Sequence, residues 1–123
     1  MKVKALIWMG IKTEKFQEME HFWQNIMGCS PINASQDRLL FQLPNKDMIE
    51  IFGPLGPNQH FTPDAIVCGF QVEDIFQARQ ELVQAGIELI GPVQETRPGG
   101  FAYQHFRGPD GNLYALATDP EQI

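Results

Sequence analysis

The chain writes one segment twice. Phe41-Gln-Leu-Pro-Asn-Lys-Asp-Met-Ile-Glu50 and Phe106-Arg-Gly-Pro-Asp-Gly-Asn-Leu-Tyr-Ala115 superpose without a gap at an offset of 65. Phe41 falls on Phe106, Pro44 on Pro109 and Glu50 on Ala115. Each copy reads as strand, tight turn, strand, because Pro presets φ for a turn. Asn45/Asp47 and Asp110/Gly111/Asn112 add side-chain capping and tolerance of positive φ. A repeat of this length restricts the chain to folds built from two similar modules, neither of which buries its sheet alone.

Upstream of each hairpin lies an apolar strand and an amphipathic helix. The first helix is predicted over Glu14–Met27, with Thr13 as N-cap and Gly28 as the residue that ends it. Phe16, Met19, Phe22/Trp23 and Ile26 form its apolar stripe. The second is predicted over Ile75–Ala85, capped by Asp74 with Gln77 at the capping-box position and ended by Gly86. Ile75, Ala78, Leu82 and Val83 make its buried stripe. The two helix-ending glycines are offset by 58, so the second half holds seven more residues between helix and hairpin. The loop Gly91–Gly100, with two prolines and three glycines, takes that excess. Strands are predicted at 3–11, 30–34, 38–43 and 48–52, then at 65–72, 87–90, 101–107 and 112–118. Each half is thus β-α-β-β-β. Module one spans 1–53, a Pro/Gly-rich linker 54–63, and module two 64–123 of one domain.

Composition narrows the function classes. The 123 residues carry a net charge of −6, with 9 Lys plus Arg against 15 Asp plus Glu. That balance argues against nucleic-acid binding and against an anionic membrane surface. The longest uncharged apolar run, Ala5–Ile11, is too short to span a bilayer. Cys29 and Cys68 make no disulfide framework. A cytoplasmic, reduced, globular protein is expected.

Strand alternation sorts residues onto two faces. Val3, Ala5, Ile7 and Met9, with Ile49/Ile51, Cys68, Phe70, Val72 and Tyr114/Leu116, form the more uniformly apolar one, expected under the helices. Trp8, Gly10, Met48/Glu50/Phe52, Val67, Gly69, Gln71 and Leu113/Ala115/Ala117 form a mixed face with Arg38, Tyr103, His105 and Arg107. A face of this kind suits a ligand-lined concavity or a subunit contact.

The duplicated module resembles the vicinal oxygen chelate superfamily, which includes glyoxalase I, bleomycin-resistance proteins and extradiol dioxygenases. The resemblance rests on Gly69-Phe-Gln-Val-Glu-Asp74 and on the hairpin Phe106–Ala115. Phe22-Trp-Gln-Asn-Ile-Met-Gly28 and Met48-Ile-Glu-Ile-Phe52 match more loosely. It implies an α+β fold: two βαβββ modules in tandem, whose curled mixed sheets form a cup with the helices outside. It also implies a homodimer and a divalent metal held by residues on the first, fourth, fifth and eighth strands. At those places this chain offers Leu6 or Trp8, Glu50, Val67 and Ala115. Three of the four are apolar, and one carboxylate cannot hold the ion.

The expected function is therefore a metal-free small-molecule-binding protein of this type. Its ligand, hydrophobic or cationic and aromatic, contacts Trp8, Glu50, Phe52, Tyr103, His105 and Ala115. Trp8 and Phe52 offer stacking surfaces, or else fill the cup or a dimer seam. Glu50 is either a ligand acceptor or a structural carboxylate paired with Arg38 or Arg107. Tyr103 and His105 share a strand face as a donor/acceptor pair or as packing. No catalytic residue is assigned, no cofactor is predicted, and His21 and His60 read as surface or packed residues. Cys68 reads as a buried thiol and Cys29 as the more exposed one. Arg97-Pro-Gly-Gly100 lacks a following helix and reads as a rim rather than a phosphate loop. The alternatives are a metal-dependent lyase, isomerase or dioxygenase with a relocated site, and a non-catalytic interaction module.

Overall fold

The computed structural model describes residues 1–121. Strand, helix and three strands follow one another twice. The first set is β1 (Ala5–Lys12), α1 (Phe16–His21), β2 (Pro31–Ala34), β3 (Arg38–Gln42) and β4 (Met48–Phe52). The second is β5 (Ile66–Gln71), α2 (Ile75–Gln84), β6 (Glu88–Glu95), β7 (Ala102–Arg107) and β8 (Leu113–Thr118). The α+β class and the two βαβββ modules match the expectation from the repeat. Positions 122–123 of module two lie outside the described residues. Among the described residues no helix is long and apolar enough to cross a membrane.

Contacts group the residues into two compact units, Trp8–Val67, and Met1–Ile7 with the chain from Cys68 onward. The first seven residues thus belong with the second copy. The Lys4 N–H donates to the Gln71 carbonyl at 2.9 Å, Lys4 pairs with Glu73 at 3.6 Å, and the terminal ammonium pairs with Glu81.

In the Trp8–Val67 unit the strand order is β2-β3-β4-β1. β1 runs parallel to β4, and β3 runs antiparallel to both β2 and β4. Ile11, Leu39, Phe41, Ile49 and Ile51 form the core, with Met9, Phe16, Met19 and Trp23 packed against it. The helix differs from its prediction. Thr13 Oγ1 accepts from the Lys15 N–H at 3.0 Å, so its hydroxyl caps the turn before a helix that begins only at Phe16. From Phe22 to Ile26 the backbone widens into a π-turn, the Met27 N–H donating to the Phe22 carbonyl at 2.9 Å. The extra residue per turn shifts the side chains off the 3.6-residue period. Trp23 stays on the core and Ile26 turns out to solvent, 66% exposed. Cys29, expected as the more exposed thiol, is partly exposed: its N–H donates to the Trp23 carbonyl at 2.9 Å, and it packs against the core.

In the other unit the order is β5-β8-β7-β6, with β5 parallel to β8 and the remaining pairs antiparallel. Asp74 caps α2 as expected, accepting from the N–H groups of Phe76 and Gln77 at 3.0 and 3.2 Å. Replacing Asp74 with alanine should cost about 1 kcal/mol, read as a lower urea midpoint at unchanged slope. Gly86 ends the helix at φ 77°, as Gly28 does at the same angle in the first copy. A residue with a Cβ would be strained there. Ile75, Ala78 and Leu82 are buried against Val72, Ala102 and Leu116. Val83, expected in this stripe, is 54% exposed, because it follows Leu82 by one residue and lies about 100° around the helix. This core takes Phe70 of β5 and Val72, the residue after it, but not Cys68, which is partly exposed rather than buried.

β6 was expected to stop at residue 90, yet it continues to Glu95. Its register against β7 shifts between Ile90 and Gln94, across Gly91 and Pro92. Gln104, fully buried, absorbs that irregularity. Its Nε2 donates to the carbonyls of Gly91 at 2.9 Å, His105 at 2.8 Å and Ile90 at 3.3 Å, while its Oε1 accepts from Arg79 Nε at 3.0 Å. An amide side chain thereby supplies the donor that proline lacks.

Candidate functional site

Three strands of the first unit set a small grid of side chains on the face away from α1. The parallel register places Trp8, Gly10 and Lys12 of β1 opposite Met48, Glu50 and Phe52 of β4. The antiparallel register places Gln42, Leu40 and Arg38 of β3 on the far side of that same row. Partners across a ladder project to one face, so Glu50 stands between Gly10 and Leu40.

Gly10 makes room for Trp8. A Cβ on Gly10 would overlap Cη2 and Cζ2 of the Trp8 indole and lie 3.1 Å from Cζ3. The ring thus lies over the glycine backbone, and its Nε1–H donates to Glu50 Oε1 at 2.9 Å. Arg38 Nε donates to the other carboxylate oxygen, Oε2. The Glu50 side chain is 12% exposed and that of Arg38 37%. Of the two arginines considered as partners, Arg38 is the one that pairs. Arg107 instead lies 3.9 Å from Glu88 and donates to the Gly111 carbonyl at 3.2 Å.

Phe61 closes the aromatic part of this face. It comes from the segment between β4 and β5, which holds neither helix nor strand, yet it is 3% exposed. Its ring meets Phe52 edge-on at 5.9 Å and Trp8 at 6.5 Å. Neither Phe61 nor Lys12 stands out as a site residue in the sequence. Their signals were there: one aromatic among Asn58, Gln59, His60 and Thr62, and one lysine ending an otherwise apolar strand. Arg38 was placed on the mixed face, but its pairing could not be chosen from sequence.

In the second unit β7 and β8 set Tyr103 opposite Ala117 and His105 opposite Ala115. His105 and Ala115 are buried, and the rings of Tyr103 and His105 lie 5.2 Å apart at 39°. Gln71 is committed to structure: its Oε1 accepts from the Asp119 N–H at 3.1 Å, and its Nε2 donates to the Asp119 carbonyl at 3.3 Å. Trp8, Glu50 and Phe52 are therefore gathered within one unit, and Tyr103, His105 and Ala115 within the other.

The opposite face of the β7–β8 hairpin carries a shallow groove of about 360 Å³ lined by Phe106, Gly108, Pro109, Asp110 and Tyr114. The Tyr114 hydroxyl donates to Asp110 Oδ2 at 2.6 Å, and Asn112 donates to the same carboxylate through its backbone and side chain, both at 3.0 Å. These bonds, the tyrosine's first, hold the Asp110 carboxyl below the usual range. The bond to Asp110 raises the Tyr114 hydroxyl above its usual range. They brace the turn rather than create a reactive group.

The metal implied by the resemblance finds poor donors here. Leu6, Val67 and Ala115 have no ligating atom, the Trp8 indole N–H is a donor only, and both Glu50 oxygens already accept hydrogen bonds. Among the described residues no group of three or more His, Cys, Asp and Glu is placed to hold a metal ion. No chemical step is derived through one.

The comparisons with known proteins bear on the fold. The family model described as Glyoxalase/Bleomycin resistance protein/Dioxygenase superfamily matches residues 6–116. A Mn(II)-bound glyoxalase from Novosphingobium aromaticivorans is similar at a TM-score of 0.75 and 17% identity, over 96% of this chain and 40% of that one. This chain thus spans less than half of that enzyme. A methylmalonyl-CoA epimerase from Streptomyces coelicolor gives 0.71 and 10%, covering 97% and 99%. The epimerase from Mycobacterium tuberculosis gives 0.71 and 14%, covering 95% and 89%. No curated protein sequence matches significantly. At these identities the structural likeness speaks for the fold.

Proposed function

The chain belongs to the glyoxalase/bleomycin resistance protein/dioxygenase superfamily, and on that premise we propose that it binds a flat, hydrophobic small molecule without a metal. The observation that supports this reading is the engagement of Glu50. The one carboxylate at a family ligand position spends one oxygen on Trp8 and the other on Arg38. A group so engaged positions its neighbours, and Leu6, Trp8, Val67 and Ala115 at the other family positions offer no ligating atom beside it. Trp8 supplies aromatic surface for burial and stacking, whereas Phe52, 3% exposed beneath Phe61, is packing and not the stacking surface expected. A cationic ligand loses its rationale, since Arg38 already neutralises Glu50.

The competing reading is a metal-dependent lyase, isomerase or dioxygenase, favoured by the Mn(II)-bound glyoxalase among the structures that share the fold. One experiment separates them. Protein purified without a polyhistidine tag is assayed for metals, treated with EDTA and screened by thermal shift against flat aromatic compounds. The expected result is substoichiometric metal and hits that persist in EDTA. Trp8→Ala should weaken them about fivefold or more, the loss expected when a stacking surface worth about 1–3 kcal/mol is removed. Near-stoichiometric Mn, Fe, Ni or Zn would overturn the proposal.

A further inference from the structure

The two copies cover the same patch of sheet with different side chains. At the offset of 65, Phe41, Leu43 and Ile49 of the first copy fall on Phe106, Gly108 and Tyr114 of the second. At an offset of 59, Phe16, Met19 and Trp23 fall on Ile75, Ala78 and Leu82, and each trio packs on the strands of its own copy. In the first copy the Trp23 indole lies 6.4 Å from the Phe41 ring, tilted by 36°, and Phe41 and Ile49 are buried. In the second, a leucine takes the place of that indole and a glycine the place of Leu43. Phe106 and Tyr114 stay partly exposed there. They line the groove of about 360 Å³, a volume in the lower range of small-molecule sites.

The groove joins an aromatic floor to one anionic edge. The Phe106 and Tyr114 rings stack at 5.8 Å and 24°. A Cβ on Gly108 would lie 2.8 Å from Tyr114 Cε2 and 3.0 Å from Asp110 Oδ1, so the glycine lets ring and carboxylate close on the backbone. Asp110 accepts from the Tyr114 hydroxyl and from the backbone and side chain of Asn112. A carboxylate offers about four accepting positions, so these bonds leave part of its capacity open. They also keep the group ionised, its carboxyl being held below the usual range. Among the described residues no cation pairs with it.

We propose that this groove is a small-molecule site that takes an aromatic amine. The ring of the ligand lies over Phe106 and Tyr114 as the Trp23 indole lies over Phe41, and its ammonium pairs with Asp110. The site is built within the second unit alone and goes beyond the reading of the Trp8 face.

Three probes share the indole ring and differ in charge: tryptamine, tryptophol and indole-3-acetate. Each is titrated into the isotope-labelled full chain and followed by amide chemical shifts, at low ionic strength, where exposed ion pairs are least screened. Tryptamine should move the amides of Phe106, Gly108, Asp110 and Tyr114. It should bind about threefold tighter than tryptophol, within the range of an exposed ion pair, and the anion should bind weakest. Asp110→Asn keeps an acceptor for the turn, and should make tryptamine and tryptophol bind equally while tryptophol binding is unchanged. Gly108→Leu carries the residue of the first copy and should remove the response to all three. If it does not fold, Asp110→Asn carries the test. No shift at these amides, equal binding of tryptamine and tryptophol, or a preference that survives Asp110→Asn overturns the inference. Trp8→Ala should leave the response of these amides unchanged, so failure at this groove and failure at the Trp8 face are read separately.

Discussion

Replacing Gly10 with alanine should unseat the Trp8 indole and destabilise the protein by about 1–3 kcal/mol, the usual cost of forcing atoms into filled space. The new Cβ would overlap Cη2 and Cζ2 of the Trp8 ring, which cannot slide along the strand without giving up its bond to Glu50. Two outcomes are expected together. Urea denaturation should show the lost stability, and ligands that depend on Trp8 should lose about fivefold or more in affinity, equivalent to about 1 kcal/mol. A cycle makes the cause testable. In a Trp8→Ala background the clash is gone, so Gly10→Ala should then cost a few tenths of a kcal/mol at most. An equal cost in both backgrounds would mean that Gly10 is needed for its backbone and not for the room it leaves.

The parts of the fold set by local chemistry were legible beforehand. The repeat announced two βαβββ modules, Asp74 and Gly86 marked both ends of α2, and alternation separated the helix-covered face from the mixed one. What was missed depends on partners distant in the chain. The π-turn at Phe22–Ile26 changes the helix period without any proline or glycine to signal it. β6 passes through Gly91-Pro92 because Gln104, thirteen residues on, donates to the carbonyls there. Phe61 looked like part of a linker and is buried against Phe52 and Trp8. At the candidate site, alternation put Trp8, Glu50 and Phe52 on one face. The choice of Arg38 over Arg107 required the register of β3 against β4, which a sequence pattern does not specify to within one residue.

Replacing Glu50 should distinguish a carboxylate kept for structure from one kept for an absent ligand. A residue retained for ligand chemistry commonly costs stability, so removing it leaves the fold unchanged or firmer. The geometry leads to the opposite expectation. Glu50→Ala strips the acceptor from the Trp8 indole N–H and the counter-charge from Arg38, and should cost about 2–3 kcal/mol. That lies below the 3–5 kcal/mol reported for breaking fully buried pairs, because Arg38 is more than a third exposed and water recovers part of its solvation. Glu50→Gln keeps an acceptor for the indole while removing the charge, and should cost about half as much. Combining it with Arg38→Gln should recover part of the loss, since neither variant then leaves an ion without its partner. A coupling of about 0.5–3 kcal/mol in that cycle is the range for residues in contact. Urea denaturation of the four proteins measures it. A coupling near zero, or a Glu50→Ala protein more stable than the parent, would show that the carboxylate is held for something other than Trp8 and Arg38. The metal-dependent reading would then regain the donor that the present geometry assigns elsewhere.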